Sequence, residues 1–162
     1  MRPVNKQKLV RAVIEKLRED LALYEKAAGA ARAEATDEQS KAENKYDTRG
    51  LEAAYLARGQ SRVAAEIVQA IAQFEKLAIR DFGAGDAIDT GAVVELQNGK
   101  ELAMYFIGPR AGGTEIIHEN KEVLVITPES PLASQLLGRK IGEKCALELG
   151  GQKQQIKIAG VW

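Results

Sequence analysis

A chain of 162 residues has room for one large domain or two small ones, and its formal net charge of zero gives no bulk electrostatic reason to hold nucleic acid or a membrane surface. One cysteine and one histidine exclude an internal disulfide and a zinc site of the usual His/Cys kind, and leave Cys145 as a structural thiol of a reducing compartment. Aromatic residues make up only 5%, so any core is aliphatic and rich in alanine.

The opening stretch MRPVNKQKLV lacks the apolar centre of a signal peptide. No run approaches the roughly 18 apolar residues of a membrane span, so the expectation is a cytoplasmic protein with no membrane partner. From Asn5 to Leu77 there is no proline, and glycine stands only at Gly29, Gly50 and Gly59. Val10, Ile14, Leu17, Leu21, Tyr24, Ala28, Ala31 and Ala35 recur at alternating spacings of four and three, which is a heptad seam. Leu56, Gln60, Val63, Ile67, Ala70, Phe74 and Leu77 make a second seam. Two consecutive helices, each with one narrow apolar stripe, bury those stripes most directly as an antiparallel hairpin.

Placing Val10 opposite Leu77 puts the fold-back near Glu43 and Asn44, inside the acid-rich stretch ATDEQSKAENKYDTRG. Residues 1–78 are therefore predicted to form a helical hairpin, a coiled coil with its tip near residues 36–48. The seam changes from Val, Ile, Leu and Phe at the base to Ala toward the tip. Less apolar area is buried there, so the tip is predicted to be the weaker part.

After Leu77 the hydrophobic period changes to that of strands. Ala92–Leu96 reads as a strand, Gln97–Lys100 as a turn of the Asn-Gly type, and Leu102–Ile107 as the returning strand. Residues 108–113 read as a loop and Val123–Ile126 as a further strand. Ser130–Gly138 has the signals of a short helix, with serine as cap, proline at the first position and glycine after the end. Lys144–Leu149 and Gln154–Val161 close as a hairpin over Gly150 and Gly151. The fold class is α+β: a helical hairpin, then a small antiparallel β domain with one short helix over residues 79–162.

Three stretches carry a family likeness: Tyr105-Phe106-Ile107-Gly108, then Ile126-Thr127-Pro128-Glu129-Ser130-Pro131-Leu132-Ala133, then Leu136 through Glu143. With the closing strand pair of Glu148–Gly151 and Ile156–Ile158, they resemble the C-terminal domain of the GreA/GreB transcript-cleavage factors. The helical half resembles that family by architecture. The resemblance implies an FKBP-like C-terminal domain that docks at the rim of the RNA polymerase secondary channel, with Ser130 and Pro131 near the contact. It implies a hairpin that enters the channel and offers tip carboxylates to a magnesium ion at the polymerase active centre, so that a backtracked transcript is cut. The factor is then not itself an enzyme. It binds no cofactor alone, shares magnesium with RNA polymerase, and meets the nascent RNA indirectly. It is expected to be a monomer, because an intramolecular hairpin satisfies its own seam.

The tip departs from the family pattern, which reads roughly Asp-Leu-x-Glu-Asn-x-Glu-Tyr. Aligned on Tyr55, the two acidic positions fall on Thr48 and Leu51. Aligned on Glu43-Asn44-Lys45-Tyr46, the Glu-Asn pair is kept, and Gln39 or Ser40 stands at the first acidic position. Glu43 and Asp47 are four apart and share a face if the second helix starts early, which makes them the first candidates for a metal, with Asp37 and Glu38 second. The same acids also fit a solvated tip, and Asp47 a helix cap. Arg32, Arg49, Arg58 and Arg62 either contact RNA phosphate, Arg49 and Arg58 foremost, or pair with neighbouring acids. Two functions follow within the family: stimulation of cleavage, or regulation and inhibition by occupancy alone. Outside it stand an FKBP-like isomerase or chaperone, for which Phe82, Tyr105, Phe106 and Trp162 are few aromatics, and a coiled-coil adaptor for another partner.

Overall fold

The computed structural model describes residues 2–36 and 49–162. Two long helices come first, α1 at Lys6–Thr36 and α2 at Arg49–Lys76. The Asn5 side chain accepts a hydrogen bond from the Lys8 amide at 3.0 Å and so satisfies one of the orphan donors at the start of α1. At the other end, the Thr36 hydroxyl donates to the Arg32 carbonyl at 3.0 Å.

The chain forms two compact units, one of Glu15–Ala72 and one of Met1–Ile14 together with Gln73–Trp162. The start of α1 and the end of α2 thus belong to the same unit, and the helices run antiparallel. Within Glu15–Ala72, the buried positions are Leu17, Ala28 and Ala31 on α1 and Ala53, Ala57, Ala64, Ala70 and Ile71 on α2. Arg32 Nη2 donates to Ser61 Oγ at 3.3 Å across the pair.

The second seam differs from the heptad read in the sequence. Leu56 is 54% exposed and Val63 only half-buried, while Ala53, Ala57 and Ala64 are buried. The buried stripe passes through Ala53, Ala57 and Ala64, one residue along from Leu56 and Val63, so those two sit at its edge or outside it. A 4-3 count alone does not distinguish two stripes one residue apart when both are apolar.

The other unit is built on a six-stranded sheet: β1 Val93–Asn98, β2 Glu101–Ile107, β3 Glu115–His118, β4 Lys121–Ile126, β5 Lys144–Leu149 and β6 Gln152–Val161. Helix α3, Pro131–Leu136, lies between β4 and β5 in the chain. The strand order is β3-β4-β2-β1-β6-β5. The α+β architecture is as predicted, with one difference. Neighbours are antiparallel except β2 and β4, which are parallel from Met104 with Val123 to Ile107 with Ile126. A parallel neighbour needs a long crossover. Here residues 108–120 supply it, and they carry β3, which the sequence did not reveal as a strand.

The β3–β4 turn is Glu119-Asn120, both in the left-handed region at φ 51° and 63°, without the glycine that usually marks such a turn. The β1–β2 turn centres on Gly99 (φ 60°) and Lys100, one residue later than an Asn-Gly reading places it.

One face of the sheet buries Val94, Leu96, Ile107, Ile126, Leu147 and Ile158 with Ala133 and Leu136 of α3. The residues between them point the other way. On that side Phe106 meets Phe74 from the end of α2, ring centroids 6.2 Å apart.

Candidate functional site

The first candidate region is the N-terminal end of α3. Ser130 is its cap, and the hydroxyl accepts from the Ala133 amide at 3.2 Å. Pro131 follows, where a missing N–H costs nothing. Gln135 ties the helix to β5: its Oε1 accepts from the Glu148 amide at 2.9 Å, and its Nε2 donates to the Pro131 carbonyl at 2.9 Å. Past the helix, Gly138 (φ 84°) turns the chain so that its amide donates to the Ile88 carbonyl at 2.9 Å, while the Ile88 amide donates to the Arg139 carbonyl at 2.7 Å. The result is a fixed corner that presents Glu129, Pro131 and Ser134 to solvent. Such a corner can take a partner by shape without an ordering cost. Ser130 itself is half-buried and engaged as a cap.

The second region is the outer side of α2. Leu51, Tyr55, Arg58 and Arg62 follow one another at helical spacings of four, three and four, and all are exposed. They lie opposite the buried Ala53, Ala57 and Ala64. The Arg58 guanidinium sits 4.6 Å over the Tyr55 ring. The sequence left Arg58 two roles, phosphate contact or pairing with an acid; the contact the structure shows is a third, stacking on the aromatic ring one turn before it. Arg49 is the first residue of α2. The metal candidates Glu43 and Asp47, and the second pair Asp37 and Glu38, lie outside the described residues. Among the described residues, no group of three or more His, Cys, Asp or Glu side chains could hold a metal ion.

Sequence reasoning missed Lys6. It is 4% exposed, and its Nζ donates to the carbonyls of Arg80 and Gly91, the latter at 3.2 Å. Phe82 lies beneath it at 4.7 Å and carries Arg80 on its ring at 4.1 Å. Burial lowers the Lys6 pKa from 10.5 to about 8; Asp81 opposes that shift and Arg80 adds to it. The only signal was its helical phase with Leu9, Val10 and Val13, which places a cation on an apolar face.

A pair of antiparallel helices and a mixed six-stranded sheet with a capped short helix define an α+β protein whose described residues include no metal-holding cluster. Residues 83–162 match the family model "Transcription elongation factor, GreA/GreB, C-term", so the C-terminal part of the chain belongs to the GreA/GreB family. Its curated relatives include the transcription inhibitor protein Gfh1 of Thermus aquaticus, 28% identical over 119 residues that cover 72% of this chain and 71% of that protein. The Gfh1 of one strain of Thermus thermophilus is 26% identical over 72% of each chain. Solved structures of similar proteins include Thermus aquaticus Gfh1, 24% identical, covering 93% of this chain and 94% of that one at a TM-score of 0.40. Thermus thermophilus Gfh1 is 21% identical over 92% and 94%, at a TM-score of 0.38. Among the described residues, no helix is long and apolar enough to cross a membrane.

Proposed function

We propose that this chain is a Gre-type regulator that binds RNA polymerase and restrains transcription by occupying the secondary channel, without stimulating transcript cleavage. The observation that carries this reading is the outer face of α2 at its tip-side end. In the alignment on Tyr55 an acidic family position falls on Leu51, and Leu51 is an exposed apolar residue at the start of the helix. An exposed leucine offers a divalent cation no oxygen. The two Gfh1 relatives are named as transcription inhibitors, which supports the same direction. In this reading the α3 corner with Ser130 and Pro131 contacts the polymerase, and Arg49 and Arg58 lie toward the transcript. Any magnesium at the tip is the polymerase's own.

The isomerase alternative has little support. A surface cavity of about 420 Å³ on the core face is lined by Leu96, Ala103, Tyr105, Leu149 and Ile156, with Tyr105 its only aromatic.

The deciding experiment is a stalled, backtracked elongation complex incubated with the wild-type chain and with Glu43→Ala plus Asp47→Ala. The expected outcome is slowed extension with no gain in cleavage from either protein. Magnesium-dependent cleavage by the wild type that vanishes in the double variant would replace this reading with that of a metal-ligand tip in shifted register.

A further inference from the structure

The outward face of the β5–β6 hairpin pairs three sets of side chains: Lys144 with Lys157, Ala146 with Gln155, and Glu148 with Lys153. All six positions lie on the side away from the buried Cys145, Leu147, Ile156 and Ile158. At one end of the hairpin opposite charges face each other. At the other, two cations do. The register cannot slip to relieve them, because a shift of one residue turns the buried set outward.

Like charges directly opposite on a sheet are unfavourable, and a carboxylate nearby is the usual remedy. Among the described residues neither Lys144 nor Lys157 makes an ion pair. Glu143, the adjacent acid, sits 3.6 Å from Arg139 and accepts from the Lys140 amide at 3.0 Å. Glu95 on β1 is held by Lys121 at 3.1 Å. Lys157 also lies beside Gln97 of β1, so the cation pair runs into a third strand. Gln97 Nε2 donates to the Gly99 carbonyl at 3.0 Å, which leaves its second amide hydrogen free to turn elsewhere. Lys144, Lys157, Gln97 and Gln155, with Gly99 and Ile156, line a surface concavity of about 360 Å³.

The occupant such a concavity suits brings more than one negative charge and several acceptor oxygens in a small volume. A carboxylate brings one charge and two oxygens and leaves one lysine uncompensated. A phosphoryl group brings up to about two charges and three acceptor oxygens. The geometry points to a phosphate-binding site on Lys144 and Lys157, with the Gln97 and Gln155 amides as further donors. It takes either the phosphates of a nucleotide or the adjacent phosphates of a nucleic-acid strand. The site uses none of the groups assigned above to polymerase contact, and it stands or falls separately from that reading.

The test is amide NMR of the full chain, titrated at matched ionic strength with sodium pyrophosphate, with a short single-stranded RNA and with polyglutamate. The site predicts saturable shifts of the Gln97 and Gln155 side-chain amides, with affinity reduced about tenfold or more in Lys144→Gln plus Lys157→Gln. Saturation by pyrophosphate assigns the site to free phosphoanions. Saturation by RNA alone assigns it to a strand, and the salt dependence then falls by about one unit per lysine removed. Equal saturation by polyglutamate, unsaturable shifts with every anion, or undiminished binding in the double variant overturns the proposal. Lys144→Glu guards against misfolding, because it places opposite charges in register. It must keep the wild-type thermal midpoint or raise it, and must lose the phosphate shifts.

Discussion

Lys6 and Gly91 lie 85 positions apart in the chain, and the Lys6 ammonium donates to the Gly91 carbonyl at 3.2 Å inside a nearly solvent-free site. This contact and its companion to the Arg80 carbonyl tie the first turn of α1 to the segment that leads into the sheet. A buried cation held by carbonyls is costly to keep charged, which is why its pKa falls to about 8.

That shift sets a pH dependence of stability. The folded pKa of about 8 lies below the ordinary 10.5, so between these values the unfolded chain binds more protons than the folded one. Stability therefore rises as pH rises from about 8 to 10.5 and is flat below that window. A shift of that size corresponds to a gain of about 3 kcal/mol across the window. Chemical denaturation of wild type and Lys6→Met at pH 7, 8, 9 and 10 checks this. The difference between the two proteins should widen in favour of the wild type with rising pH, and a constant difference would refute it.

Gly108→Ala is expected to destabilise by about 1–3 kcal/mol through overpacking. A Cβ at Gly108 would stand 2.8 Å from Phe74 Cζ and 3.0 Å from Val125 Cγ1, both on fully buried side chains. Gly108 does not need the left-handed region, so the effect is steric alone. Thermal unfolding of Gly108→Ala, Phe74→Leu and the double variant tests the contact. The double variant should cost less than the sum of the singles.

Gly29→Ala and Gly59→Ala should each raise stability by about 0.5–1 kcal/mol, because alanine removes the backbone entropy that glycine loses on folding. Both glycines lie inside helices, and a Cβ at either meets nothing within 4 Å. Denaturant midpoints measure the gain.

Ser130→Ala should cost about 1 kcal/mol, since it removes the bond to the Ala133 amide from a helix of six residues. Ser130→Asp keeps a cap acceptor and should hold stability near wild type. Polymerase association measured on both variants separates the two roles. If only Ser130→Ala weakens binding, the serine acts by holding the corner; if both do, the hydroxyl itself is in contact.

Most of the β domain was legible because its signals are local. Lys144–Leu149 alternates in strand period, Gly150-Gly151 supplies two left-handed turn residues, and Ser130-Pro131 carries both cap and first-turn chemistry. β3 was not legible. It has four residues, and its turn places Glu119 and Asn120 at positive φ without glycine, so nothing in the sequence announces the reversal. The α3 corner was found as a helix start. The stacking of Arg58 on Tyr55 was not legible, since spacing permits an acid partner equally well.

By itself the sequence determined the two long helices, the short helix after Ser130 and every strand but β3, because period, caps and glycine turns act within a few residues. It also determined that no zinc cluster of His and Cys is possible. Tertiary structure alone decided which residues meet. Helix pairing buried Ala53, Ala57 and Ala64 rather than Leu56 and Val63 in the second seam. The insertion of β3 made β4 a parallel neighbour of β2. Strand register set Lys144 against Lys157, and docking of the first turn of α1 buried Lys6. Each of these depends on packing free energy summed over residues far apart in the chain, which no local pattern encodes.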